Sequence, residues 1–70
     1  MKYRQFIQII ELEGFHLHRH GATSHRRYRG VVLEEVRYVD VTPHSMNDDI
    51  PKGTLASMIR QSGLPKRLFR

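Results

Sequence analysis

FHLHRHGATSHRRYRGVVLEEVRYVDVTP, residues 15–43, decides the fold. Its first run, Phe15-His16-Leu17-His18-Arg19, alternates: Phe15 and Leu17 fall on one side, His16 and His18 on the other. Such period-two alternation is the mark of a strand with one covered face. His20-Gly21-Ala22-Thr23 supplies a turn. Ser24 to Val32 reads as a second extended run, in which Gly30 marks a weak point or bulge. Leu33-Glu34-Glu35 is a hairpin connection, and Val36 to Thr42 alternates again, with Val39 and Val41 opposed to Tyr38 and Asp40. Pro43 ends the run. Three antiparallel strands are expected.

Outward from this core the period changes. Tyr3, Phe6, Ile7 and Ile10 recur at spacings of three and four, so Lys2 to Glu13 is expected as a helix closed by Gly14. After a polar loop, Pro43 to Lys52, a second helix is expected to open at Gly53-Thr54 with Thr54 as N-cap. Leu55, Met58 and Ile59 form its apolar face and Gly63 closes it; Leu64 to Arg70 adds one short turn with Leu68 and Phe69 as packing handles. The whole chain, 1–70, reads as a single α+β domain of order α-β-β-β-α, two helices packed on one face of a three-stranded antiparallel sheet.

Composition narrows the function. There is no cysteine, which removes disulfides, thiolate metal sites and thiol nucleophiles together. No run of about eighteen apolar residues is present, and the opening MKYRQF lacks the apolar stretch of a signal peptide. A cytoplasmic protein with no membrane association is expected. Twelve Lys and Arg against seven Asp and Glu give a net charge of +5, and nine of the twelve are arginine. From His16 to Arg29 there are four arginines, four histidines and no acid. A basic block is ordinarily a solvated face. One this concentrated and this rich in planar bidentate donors points instead to a polyanion, nucleic acid first.

Two segments resemble the HicA family of toxin ribonucleases. One is Gly14-Phe15 followed by Ser24-His25-Arg26-Arg27-Tyr28; the other is Pro43-His44 leading to Gly53-Thr54-Leu55-Ala56-Ser57-Met58-Ile59-Arg60-Gln61-Ser62-Gly63-Leu64. The resemblance covers nearly the whole chain. It implies a fold like that of the double-stranded RNA-binding domain, mRNA cleavage without a metal or other cofactor, and inhibition by a HicB-type antitoxin. It also implies that His25, the histidine of the Ser-His pair, is catalytic. The family usually has Gly-Ser-His contiguous, whereas Ala22 and Thr23 here stand between Gly21 and Ser24.

The residues suit that chemistry. RNA carries its own nucleophile, so an enzyme must move protons and stabilise charge on phosphorus; an imidazole, with an unperturbed pKa of about 6.5, serves the proton steps. His25 is the candidate acid or base, with Arg26, Arg27, Arg29, Lys52 and Thr54 as candidate phosphate ligands. His44 is the candidate second acid or base, beside a helix N-terminus whose free N–H groups at Gly53-Thr54-Leu55 could take phosphate; bracing of the loop is its structural alternative. His16, His18 and His20 form a ladder that could be read as zinc-binding, but no local carboxylate or cysteine completes a set, and no metal site is expected. Asp48-Asp49 reads as turn chemistry rather than a magnesium pair. Tyr28 and Tyr38 could each stack on bases or pack in the core. A small RNA-binding domain of the same fold without catalysis is the alternative reading.

Overall fold

A computed structural model of the chain describes residues 1–21 and 24–70. Its elements are α1 (Tyr3–Leu12), β1 (His16–His20), β2 (Arg26–Val32), β3 (Glu35–Val41) and α2 (Lys52–Ser62), followed by a 3₁₀ turn over Lys66–Phe69. The order read from the sequence is the order observed. The strands form one antiparallel sheet in the order β1-β2-β3. The expected turn between the first two strands includes Ala22 and Thr23, which lie outside the described residues.

Cross-strand partners share a face, so the register sorts the sheet. Tyr28 lies opposite Leu17 and Val39, and Arg26 opposite Val41. Tyr28, Val39 and Val41 are buried against Tyr3, Phe6, Ile7 and Ile10 of α1 and Met58 of α2. Both helices therefore cover this inner face. Phe69, in the closing turn, stacks on Phe6 with ring centroids 4.9 Å apart. Leu17 shares the inner face but stands on the edge strand, and is left half exposed.

Local chemistry explains the element ends. Gly14 (φ +95°) and Gly63 (φ +70°) adopt the left-handed conformation that ends helices. The first-turn N–H groups of α1 are met by the loop before α2: Tyr3 donates to the Asp48 carbonyl at 3.1 Å and Arg4 to the Met46 carbonyl at 3.0 Å. The Asn47-Asp48-Asp49 stretch is thus a helix-capping turn. Ser62 is buried but satisfied, its hydroxyl donating to the Ile59 carbonyl and accepting from the Leu64 N–H.

Three local expectations need correction. α2 begins one turn earlier than expected, with Pro51 as N-cap and Thr54 exposed inside the first turn. Leu55 N–H already donates to the Pro51 carbonyl, so the free end-groups belong to Lys52, Gly53 and Thr54. Gly30 is not a bulge; it pairs regularly with Arg37, and its missing side chain makes room for the Phe15 ring. The irregularity lies in β1 instead, where the register shifts between Leu17 and Arg19 and leaves His18 unpaired.

Candidate functional site

The face turned away from the helices is the basic one. Alternation along β2 puts Arg27, Arg29 and Val31 on it, and pairing adds His16, Arg19, Val36, Tyr38 and Asp40. The His-x-His-x-His ladder is broken by the bulge. His16 stays on the outer face, His18 meets the outer-face ring of Tyr38, and His20 falls opposite Arg26 on the inner side. A bulge adds one residue and so reverses the alternation beyond it. Among the described residues no cluster of three or more His, Asp or Glu is placed to hold a metal ion.

Where β2 begins and β3 ends, the sheet closes on an open depression of about 680 Å³ lined by Arg19, Gly21, His25, Arg26, Arg27, Asp40 and Thr42. His25 immediately precedes β2, is exposed, and its carbonyl accepts the Gly21 N–H at 2.8 Å. That bond fixes the backbone on which the imidazole stands. Of the residues singled out in the sequence, His25, Arg26 and Arg27 come together here. Arg29 lies further along the outer face, opposite His16 and Tyr38. His44 is exposed in the loop after β3, and Lys52 and Thr54 are exposed in the first turn of α2; these three do not line the depression.

The two arginines differ in what holds them. Arg27 grips Asp40 with both ends of a fork, Nε to Oδ1 at 2.8 Å and an Nη to Oδ2 at 3.3 Å. The hydrogen bond and charge of Asp40 push the Arg27 pKa up from its already alkaline value. A raised pKa on a base keeps this contribution fully present below its ordinary value and removes it only above, so Arg27 stays charged throughout the range in which proteins work. Arg26 has the opposite problem: its Nε is buried and has no hydrogen-bond acceptor among the described residues. Buried donors are nearly always paired; the Nε of Arg37, also on the inner side of the sheet, shares this condition.

Sequence reasoning missed Asp40, Arg19 and Thr42 as neighbours of His25. Each is brought there by strand register, which the spacing between separate runs does not reveal. The two tyrosines, ambiguous in sequence, are now assigned: Tyr28 is buried in the core, and Tyr38 is 41% exposed on the outer face. Tyr38 has the His18 ring at 5.6 Å and the Arg27 guanidinium at 5.4 Å from its centroid.

A small α-β-β-β-α domain, with an exposed histidine among arginines at one end of its sheet, is the class that fold and site define. Residues 3–64 match the family model described as the HicA toxin of bacterial toxin-antitoxin systems. The chain belongs to the HicA toxin family. Comparison with curated proteins and with solved structures finds no match to either. Among the described residues, no helix is long and apolar enough to cross a membrane.

Proposed function

We propose that this toxin is an endoribonuclease that cleaves mRNA without a metal, uses His25 as general acid or base, acts in the cytoplasm and is held in check by a HicB-type antitoxin. One observation carries the reading: the exposed His25 lines the same open depression as Arg26 and Arg27. An imidazole serves proton transfer near neutral pH, and a free guanidinium donor serves a phosphate oxygen. In the proposed step the 2′-hydroxyl oxygen attacks the adjacent phosphorus and the bond to the 5′-oxygen breaks. The hydroxyl proton leaves to a base and another proton reaches the departing oxygen. His25 handles one of these transfers, while Arg26, and Arg27 with its remaining donors, stabilise the charge on the phosphorane.

The purified chain in EDTA should cut single-stranded RNA into fragments ending in cyclic phosphate, and His25→Ala should stop cutting without altering the fold. Cutting that persists in His25→Ala would remove His25 from the mechanism. Cutting that appears only with an added divalent metal would remove the metal-free route.

A second reading, an RNA-binding domain without catalysis, draws on a different observation. Among the described residues, His44 does not line the depression, and the one carboxylate that does, Asp40, is engaged by Arg27. On that reading RNA binds the chain and is recovered uncut.

A further inference from the structure

We propose that the outer face of the sheet beside His25 holds a nucleobase subsite, in which an unpaired base of the RNA stacks on Tyr38 beside His18 and Arg27. This deepens the reading of the chain as an RNA-acting toxin and rests on it. The juxtaposition itself is independent of any cleavage chemistry.

Tyr38 has no role in the core. The inner-face tyrosine, Tyr28, fills that place, whereas Tyr38 presents its ring on the face the helices leave open. Large aromatic surface left in water forgoes the gain of burial, and a π-face is the surface on which any base can stack. The surroundings of the ring are built rather than incidental. The bulge puts the extra residue of β1, His18, against Tyr38 with the two rings inclined at 59°. Bulges are features that re-aim a side chain, and this one adds a second aromatic to the platform. The Arg27 guanidinium lies over the ring, 5.4 Å from its centroid, and Asp40 holds it there by two hydrogen bonds. Groups fixed in advance lose little freedom when a ligand arrives.

Position ties the platform to the depression. Arg27 belongs to both, contacting Tyr38 and lining the space beside His25. Tyr38 and Asp40 are two residues apart on one face of β3, a separation of about 7 Å. A base on Tyr38 therefore leaves its own sugar-phosphate within reach of the His25 depression, with Arg29, the cross-strand partner of Tyr38, as a further cation beside it. The occupant must be single-stranded. Bases in a duplex are stacked on one another, and the deep, narrow major groove of A-form RNA keeps side chains from them.

The test measures binding in a His25→Ala background, so that no RNA is cut during the titration. Fluorescence anisotropy is read with a short labelled single-stranded RNA and with a duplex of the same sequence. Tyr38→Ala should weaken single-strand binding by roughly 5- to 100-fold, the range expected for loss of one stacked base. Tyr38→Phe should retain the parent affinity, and duplex binding should be the same in all three proteins. Tyr38→Thr, which removes the ring but keeps a good strand former, provides the same reading should the alanine variant fold poorly. Equal single-strand affinity with and without the ring overturns the subsite and leaves the RNA reading standing. Loss in Tyr38→Phe as large as in Tyr38→Ala assigns the effect to the hydroxyl and also overturns stacking. A parent protein that binds no RNA overturns both.

Discussion

Gly30 and Phe15 share one space. A Cβ built on Gly30 would lie 2.6 Å from the Phe15 ring, which is itself buried in the core. Neither partner can yield easily, so Gly30→Ala is expected to destabilise the fold by about 1–3 kcal/mol, as overpacking does; urea unfolding measures it. His25 is the contrasting position. It is exposed. His25→Ala should therefore leave stability within ~0.5 kcal/mol, while cleavage falls by the roughly 10²–10⁴-fold expected for a lost acid or base. A variant that loses both together would indicate that the histidine is structural. The sequence singled out both positions but explained only one. A Ser-His pair ahead of an arginine run is a local pattern. The reason for Gly30 lies in a residue from another part of the chain, and a glycine shows only that something is absent.

Elements were legible wherever their signal was periodic. The stripe Tyr3, Phe6, Ile7, Ile10 and the pair Val39, Val41 are all in the core, as their spacing indicates. The start of α2 was misread because threonine is the stronger cap by preference, yet Pro51 already has the extended ψ of a cap and Lys52 and Gly53 accept the helix behind it. The loop before α2 shows in sequence only polarity and turn residues. It caps α1 with two carbonyls and sends Ile50 into the core, which no local pattern announces. Ile50→Ala is accordingly expected to cost about 2–5 kcal/mol, the range for truncating a buried aliphatic side chain, with a matching drop in denaturation midpoint. The hairpin between β2 and β3 offers the opposite opportunity. Val32 pairs with Glu35, so the turn is Leu33-Glu34, and both residues have positive φ, 51° and 68°. Such angles suit asparagine and glycine. Replacing the pair, Leu33→Asn with Glu34→Gly, should stabilise the fold by about 1–2 kcal/mol; a lower thermal midpoint would show that the exposed Leu33 contributes in a way the turn geometry does not reveal.

The molecule as a whole carries +5, and three of its nine arginines, Arg19, Arg27 and Arg29, stand on the outer face of the sheet. If Arg19, Arg26, Arg27 and Arg29 each meet one phosphate, the logarithm of RNA affinity should fall with the logarithm of salt at a slope of about −3. A flat response would mean that these guanidinium groups meet no phosphate. An antitoxin that covers the same face should stabilise the fold by mass action, by about 2.7 kcal/mol at a hundred times its Kd, which raises the unfolding temperature, and should compete with RNA. The asymmetry of charge along the chain was visible at once, whereas the meeting of His25, Arg19 and Asp40 was not, because it depends on which residues face each other across three strands.

The same register has a sheet-wide consequence. Removing one residue from a strand ordinarily turns every later side chain inside out. β1 is an exception, because Leu17 faces Tyr28 and Arg19 faces Arg27, already neighbours on β2. Excision of His18 would close a gap the ladder does not use, and the partners on either side would remain as they are. This histidine is spare in length, so a shortened chain could keep its architecture and lose only what that ring does.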